Sequence, residues 1–269
     1  MIKTLTNAIV AQRIEVSPGL IILRVVPEGW DLPDYEAGQF SVLGLPGSAK
    51  RCLVSEPDDE PVDPDKLIKR AYSIASTSQE KDFMEFYVSM VPSGALSPRL
   101  FALEPGDGVW LSPKATGMFT LSQVPEDKHV ILISTGTGLA PFVSMLRSNV
   151  QCGGERQFTV LHGARHSWDL GYRSELMTMD RMCPNISYTP AVSRPADEVA
   201  TWNGATGRIQ EVWKHIEEYA GYAPTPENTH IFLCGNPSMI EGMVKGLELE
   251  GYREHKKKSP GQVHVERYW

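Results

Sequence analysis

The chain has 269 residues, of which 41% are hydrophobic, 22% charged and 9% aromatic, and its formal net charge is −7. This composition is typical of a globular protein and argues against a disordered chain, and the length predicts two domains rather than one. The negative net charge argues against nucleic-acid binding, which needs a concentrated basic surface.

Hydropathy and cysteine spacing narrow the class of protein further. No apolar run approaches the roughly 20 residues of a membrane-spanning helix, and the amino-terminal stretch lacks the apolar centre of a signal peptide. We therefore expect a cytoplasmic protein without membrane insertion. The four cysteines are far apart, which predicts no metal site, no iron-sulfur cluster and no disulfide framework. They are Cys52, Cys152, Cys183 and Cys234.

The first half of the chain has the alternating hydrophobic pattern of antiparallel strands. Six short strands with one brief helix near SPRLFAL predict a small β-barrel. The predicted strands are NAIVAQRIEV, LIILRVV, QFSVLGL, KRAYSIAS, FMEFYVSMV and GVWLSP. Between the third and fourth strands, the acidic and proline-rich segment 55–66 is expected to be a solvated loop with no packing role.

The second half alternates apolar strands with amphipathic helices, which predicts a parallel sheet covered on both faces. Four strand–helix pairs begin at HVILIS, QFTVLHG, ISYTPAV and HIFLCG, and GQVHVERY forms a last strand. The predicted fold is an amino-terminal antiparallel β-barrel, residues 1–124, and a carboxyl-terminal α/β nucleotide-binding domain, residues 125–269.

A glycine-rich turn follows the first strand of the second domain. In the sequence STGTGLAPF, Gly136 and Gly138 allow a sharp turn and close ligand approach, and Pro141 suits the first turn of a helix. Free N–H groups at such a turn favour a pyrophosphate. The pattern is an incomplete GxGxxG, because Pro141 replaces the third glycine, and such turns are also structural; the position after a strand favours a ligand site.

A second turn, FLCGNPSM, follows the fourth strand of this domain. Cys234 is as well explained by core packing as by a ligand contact, and Gly235 and Asn236 allow close ligand approach. The sequence leaves these two interpretations open.

Three arginines follow the intermediate strands or open a helix: Arg165, Arg194 and Arg208. Each alone is best explained as a solvated side chain. At one edge of one sheet, however, the three could converge on a dianion such as the 2′-phosphate of a dinucleotide.

Two stretches of the predicted barrel are also candidates for ligand binding. In RAYSIAS, Arg70, Tyr72 and Ser73 offer a phosphate fork, a flat ring and a short hydroxyl. In SGALSPRL, residues 95–97 are predicted at a helix start, a second anion site.

These motifs, in this order from RAYS to the final YW, resemble those of the bacterial ferredoxin–NADP reductases, a family of two-domain flavoproteins, and the resemblance covers the whole chain. It implies FAD on the barrel and NADP(H) on the parallel sheet. The implied FAD contacts are Arg70, Ala71, Tyr72, Ser73, Tyr87, Ala95, Leu96, Ser97, Thr137, Tyr268 and Trp269. The implied NADP contacts are Gly136, Gly138, Ala164, Arg165, Ser193, Arg194, Arg208 and Asn236. The implied catalytic residues are Ser73, Cys234, Glu266 and Tyr268.

The resemblance implies that NADPH passes a hydride to FAD, which then exchanges single electrons with a small acidic ferredoxin or flavodoxin. The terminal Tyr268 would stack on the flavin and move aside for nicotinamide. We expect a monomer. The basic run Arg253–Lys258 is either a solvated surface or a patch that steers an acidic partner.

Two alternative functions remain open. One is the reductase of an oxygenase or another electron-transfer chain, disfavoured because many such reductases carry an iron-sulfur domain for which this chain lacks length and cysteines. The other is a non-catalytic flavin redox sensor, disfavoured because counterparts of Ser73, Cys234 and Glu266 are present.

Overall fold

The structure is a computed structural model that describes residues 5–58 and 60–267. The chain divides into two compact units. One comprises Met1–Thr120 with Val143–Ser148, and the other comprises Leu121–Phe142 with Asn149–Trp269. In the described part of the chain, no helix combines the length and apolar character needed to cross a membrane.

The first unit contains a six-stranded antiparallel sheet in the order β4-β3-β6-β1-β2-β5. A bridge between Ile74, just after β4, and Phe86 on β5 joins the two outer strands and closes a barrel. Fully buried side chains fill its interior, among them Ile21, Leu23 and Leu111. The strands are β1 (Ala8–Ser17), β2 (Leu20–Pro27), β3 (Phe40–Pro46), β4 (Leu67–Ser73), β5 (Met84–Ser89) and β6 (Gly108–Leu111), with the single-turn helix α1 (Ser97–Leu100). The predicted barrel is confirmed.

The second unit contains a six-stranded parallel sheet in the order β10-β9-β8-β7-β11-β12. Its strands are β7 (His129–Thr135), β8 (Phe158–Ala164), β9 (Ile186–Val192), β10 (Ala205–Thr206), β11 (Thr229–Cys234) and β12 (Val263–Glu266). The helices that follow β7, β8, β10 and β11 are α2 (Ala140–Asn149), α3 (Arg173–Met182), α4 (Ile209–Val212) with α5 (Ile216–Ala220), and α6 (Pro237–Leu249). The predicted α/β domain is confirmed.

Two local features of this sheet differ from the pattern in the sequence. The two-residue strand β10 is too short to give a periodic signal, and it was not predicted. The predicted continuous helix after β10 is split into α4 and α5 by a 3₁₀ turn at Trp213–His215.

The segment 55–66 is anchored to the barrel, so the prediction that it has no packing role is wrong. The carboxylate of Asp58 accepts hydrogen bonds from Arg51 and Arg99. Farther along, Pro64 and Lys66 accept backbone hydrogen bonds from the turn that follows β3. Composition indicated a solvated loop because it reflects only neighbouring residues, whereas Arg99 is 41 residues from Asp58 in the sequence.

The cysteine prediction also needs a correction, because Cys152 and Cys183 form a disulfide with a Cα–Cα distance of 4.8 Å. Cys152 precedes β8, and Cys183 follows α3 just before β9. The two strands are neighbours in the sheet, so folding brings together cysteines that are 31 residues apart. Cys52 and Cys234 do not take part in a disulfide.

Candidate functional site

The order of the parallel strands places a reversal point at the middle of the sheet. The chain enters at β7, continues outward through β8, β9 and β10, and then returns to β11 on the other side of β7. In sheets of this kind, ligands bind beyond the carboxyl ends of the two strands at the reversal. Both glycine turns singled out from the sequence follow these strands.

The two glycine turns pack directly against each other. A Cβ atom on Gly138 would lie 2.6 Å from the backbone nitrogen of Gly235, and one on Gly235 would lie 2.5 Å from the hydroxyl oxygen of Thr135. Both distances are too short for any side chain. Gly136 differs, because its φ of +55° favours glycine while its Cβ position has no atom within 4 Å. Glycine is thus required at 138 and 235 for packing, and at 136 for a turn with an open face.

Thr135, the last residue of β7, links the two turns, although the sequence did not single it out. Its hydroxyl accepts a 2.8 Å hydrogen bond from the backbone N–H of Asn236. The Asn236 side-chain oxygen caps α6 by accepting from Ser238 N at 2.9 Å and Met239 N at 3.3 Å. Thr137 lies half-buried in the 3₁₀ turn that leads into α2. The sequence feature that could have identified Thr135 is its position next to the glycines in STGTG.

Cys234 and Glu266 are opposite each other in the register of β11 and β12. Both therefore lie at the carboxyl edge of the sheet, next to the glycine turns. Cys234 is completely buried, whereas Glu266 is partly exposed. Tyr268 and Trp269 lie outside the described residues, so their predicted cover over a flavin stays a prediction.

The three arginines follow three neighbouring strands. Arg165 comes directly after β8, Arg194 follows β9, and Arg208 follows β10. Backbone hydrogen bonds hold these strand ends together: Arg194 N donates to Arg165 O at 3.0 Å, and Ser193 N donates to Ala164 O at 3.0 Å. The sequence-based expectation of one shared edge is met, and all three side chains are exposed.

Two acidic side chains near this edge, those of Glu198 and Glu211, bind groups other than the guanidinium groups of these arginines. The Glu211 carboxylate accepts a 2.7 Å bond from the backbone N–H of Arg208. The Glu198 carboxylate accepts from Ser167 Oγ at 2.6 Å, and this bond holds the pKa of Glu198 below its usual range. Among the described residues, no carboxylate forms an ion pair with any of the three guanidinium groups. The edge therefore offers uncompensated positive charge to an anion.

In the barrel, the predicted flavin contacts on β4 are divided between the two faces of the strand. Arg70 and Tyr72 share one face, and Ala71 and Ser73 share the other, because side chains alternate along a strand. Arg70 is exposed, and Ser73 is buried. Burial raises the pKa of Tyr72 to about 12, so its hydroxyl is neutral at physiological pH. Tyr87 on β5 is also buried, with only 2% of its surface exposed.

The segment 92–97 presents backbone donors. No residue in the described part of the chain accepts a hydrogen bond from the N–H groups of Ala95, Leu96 and Ser97. The Ser97 hydroxyl is instead paired with the backbone of Val91, at 3.1 Å to N and 3.3 Å to O. N–H groups at a helix start have no acceptor within the helix, so these donors suit a bound anion.

Arg51 and Arg99 contact this segment, and Asp58 binds both arginines; none of the three was predicted from the sequence as a site residue. The carbonyl oxygens of Pro92, Gly94 and Ala95 accept hydrogen bonds from the two arginines. Hydrogen bonds from Arg99, together with the charges of both arginines, lower the pKa of Asp58. No local pattern could have identified these residues, because the contacts join distant parts of the chain.

Comparisons with known proteins agree with this geometry. Residues 132–245 match the family model described as "Oxidoreductase NAD-binding domain". The chain is 34% identical to ferredoxin–NADP reductase B of Sorangium cellulosum over 87% of this chain and 85% of that protein. It is 31% identical to the flavodoxin/ferredoxin–NADP reductase of Escherichia coli over 87% and 88%.

A solved structure is also similar over nearly its full length. It is a ferredoxin–NADP⁺ reductase from Neisseria gonorrhoeae with bound FAD and NADP, with a TM-score of 0.78 and 26% identity, and the match covers 98% of both chains. The resemblance inferred from the order of the motifs is therefore confirmed: the chain belongs to the ferredoxin/flavodoxin–NADP reductase family.

Proposed function

We propose that this protein is an NADPH-dependent flavoprotein reductase that transfers a hydride between NADP(H) and FAD and exchanges single electrons with ferredoxin or flavodoxin. The observation that carries the proposal is the set of three exposed arginines at the ends of adjacent strands, without carboxylate partners among the described residues, on the sheet that bears the two glycine turns. This arrangement suits a dinucleotide that carries a 2′-phosphate.

The donor sets fit both cofactors. For NADP(H), Arg194 and Arg208 would hold the 2′-phosphate with Arg165 and Ser193 beside them, and the open face of Gly136 admits the pyrophosphate. For FAD, the N–H groups of residues 95–97 would hold phosphate oxygens. This role of the backbone donors is supported by the absence of an acceptor for them in the described part of the chain.

The remaining contacts follow from the family resemblance. Arg70 would bind the FAD pyrophosphate, and Tyr72 would pack along the isoalloxazine. Tyr87 and Ala71 would line the flavin site, as would Tyr268 and Trp269, which would cover the ring. Thr137, Gly138, Ala164 and Asn236 would complete the nucleotide contacts.

Bound FAD would supply the conversion between two-electron transfer with nicotinamide and one-electron transfer with a protein carrier. The protein binds, orients and shields the cofactors. Ser73 would donate a hydrogen bond at the flavin, and Cys234 would shape the nicotinamide site from its buried position. Glu266, which is partly exposed and in register with Cys234, would exchange a proton with solvent.

Anaerobic stopped-flow absorbance tests the reductase half-reaction. The purified protein is mixed separately with NADPH and with NADH, and the flavin band is followed. We expect rapid bleaching by NADPH and much slower bleaching by NADH. A colourless protein that cannot be reconstituted with FAD would refute the proposal, and a yellow protein that neither nucleotide reduces would favour the redox sensor.

The identity of the electron carrier needs a second assay. Reduced protein is mixed with a ferredoxin, with a flavodoxin, and with ferricyanide as a small-molecule control. Turnover with a carrier that falls as ionic strength rises is expected for an acidic partner. Turnover with ferricyanide alone would instead favour another electron-transfer chain.

The proposal extends to organisation and location. We assign the flavin domain to residues 1–124 and the nucleotide domain to residues 125–269, a boundary supported by the division of the two units after Thr120. We propose a cytoplasmic monomer. Light scattering tests the oligomeric state, cell fractionation tests the location, and expression of residues 125–269 alone tests the boundary.

A further inference from the structure

Asp58 lies in the acidic loop between β3 and β4 and is held by two arginines. Its Oδ1 accepts from Arg51 Nη1 at 2.6 Å and from Arg99 Nη1 at 2.9 Å, and its Oδ2 accepts from Arg99 Nη2 at 2.7 Å. The side chain of Arg99 is 3% exposed and that of Arg51 is 14% exposed. The Asp58–Arg99 contact is bidentate, the geometry in which a guanidinium–carboxylate pair is strongest and most specific.

The same two guanidinium groups bind backbone carbonyls of the segment 92–97. Arg51 donates to Gly94 O and Pro92 O, each at 3.1 Å. Arg99 donates to Ala95 O at 2.6 Å. Asp58 thus fixes the positions of two arginines that together donate hydrogen bonds to three carbonyl oxygens of the segment 92–97.

The hydrogen bonds from the two arginines to these carbonyls determine where the amide N–H groups of the segment point. In a trans peptide the carbonyl of one residue and the N–H of the next point in opposite directions, and no described peptide is cis. With Gly94 O and Ala95 O turned toward the arginines, the N–H groups of Ala95 and Leu96 must point away from them. These are two of the donors that have no acceptor in the described part of the chain.

The arginines need Asp58 in order to keep this arrangement. Arg99 is almost completely buried, so without the carboxylate its charge would be neither paired nor hydrated, a costly state that side-chain or loop rearrangement relieves. Among the described residues, Asp58 is the one carboxylate that pairs with Arg51 or Arg99. Any rearrangement of the arginines would release the carbonyls of Gly94 and Ala95 and change the direction of the N–H groups of Ala95 and Leu96; the Pro92 carbonyl would keep its bond from the backbone N–H of Glu56.

We propose that Asp58 is a positioning residue for FAD: by fixing Arg51 and Arg99, it aims the N–H groups of Ala95 and Leu96 at the cofactor's phosphates. This inference rests on the proposed function, because it requires that the chain binds FAD. It assigns a role to the acidic loop, and Asp58 acts through the two arginines without touching the cofactor.

Ligand titration separates positioning from general stabilisation. The full chain is depleted of flavin, and the Kd values for FAD and for riboflavin, which lacks phosphates, are measured by fluorescence for the wild type and Asp58→Asn. We expect the Kd for FAD to rise about tenfold and the Kd for riboflavin to change by less than about twofold, because only FAD uses the phosphate donors. Asp65→Asn is the matched control: it removes the same charge from an exposed position of the same loop, and both Kd values should match the wild type.

The outcomes distinguish the two levels of the proposal. A wild-type chain that binds neither ligand refutes the proposed function itself. If the wild type binds FAD, then an unchanged FAD Kd in Asp58→Asn overturns the positioning role alone. Equal weakening of FAD and riboflavin would show a structural role, and tighter FAD binding would show that Asp58 competes with the phosphates; both overturn the inference.

A second variant covers the case in which Asp58→Asn does not fold. Arg51→Lys keeps the positive charge but cannot reach Asp58, Gly94 and Pro92 with a planar fork. We expect it to raise the Kd for FAD while the Kd for riboflavin stays constant. An FAD Kd equal to that of the wild type would overturn the inference as well.

Discussion

Two groups of arginines, one in each unit, illustrate how the same side chain acquires different roles. In the barrel unit, Arg99 and Arg51 are largely buried, paired with Asp58 and bonded to backbone carbonyls. At the edge of the parallel sheet, Arg194 and Arg208 are exposed, and the carboxylates of Glu198 and Glu211 accept hydrogen bonds from groups other than their guanidinium groups. The state of the neighbouring carboxylates, more than the arginines themselves, decides which guanidinium groups are available to a ligand.

The largest effect on stability is expected from a substitution in the buried arginine group. We expect Arg99→Leu to lower the free energy of unfolding by about 3–5 kcal/mol, because it removes the bidentate partner of Asp58 and leaves the carbonyls of Gly47 and Ala95 without their arginine donor. Urea denaturation followed by tryptophan fluorescence measures the change. Arg194→Leu, the exposed counterpart, should change the unfolding free energy by less than about 0.5 kcal/mol. Equal losses in the two variants would contradict the distinction.

His162 is a buried basic residue whose recorded side-chain partner is a tyrosine, so it can be compared with Arg99, which is paired with a carboxylate. His162 is completely buried, its Nδ1 contacts Tyr188 Oη at 3.1 Å, and burial lowers its pKa to about 3. Since the folded pKa lies below the unfolded value, stability is lost as the pH falls below about 6.5, where only the unfolded chain takes up the proton. This histidine should therefore contribute a loss of about 2 kcal/mol between pH 7 and pH 5.

The variant His162→Gln isolates that contribution. It removes the titrating group while keeping a partner for Tyr188, so its unfolding free energy should fall less steeply between pH 7 and pH 5 than that of the wild type. Urea denaturation at both pH values checks this. Parallel pH profiles for the two proteins would show that His162 does not titrate as its burial requires.

The smallest expected effect is at the exposed arginines, and it appears in binding and not in stability. Arg194→Ala and Arg208→Ala should each raise the KM for NADPH about tenfold, the scale of one lost charge-assisted contact, and leave the KM for NADH nearly unchanged. Steady-state kinetics with ferricyanide as acceptor measures both values. Arg181→Ala, an exposed arginine of α3, is the control. Similar increases for both nucleotides would remove the basis for the 2′-phosphate assignment.

Sequence alone predicted the features that depend on local pattern. Alternating hydrophobicity predicted the six strands of the barrel, and apolar strands followed by amphipathic helices predicted the parallel sheet, because period and burial are linked residue by residue. The glycine turns and the three arginines were identified for a related reason: each follows a strand end, and parallel strands end at one edge. The order of these motifs was enough to indicate the family.

Tertiary structure decided the contacts that join distant parts of the chain. Asp58 was assigned to a solvated loop because its neighbours are acidic and proline-rich, and only the folded barrel brings it to Arg99. Cys152 and Cys183 had no paired spacing, and they meet because β8 and β9 are adjacent. Thr135 binds Asn236 across two turns about 100 residues apart. In each case the role of the residue depends on a partner that is distant in the sequence, and the residues near it in the sequence do not identify that partner.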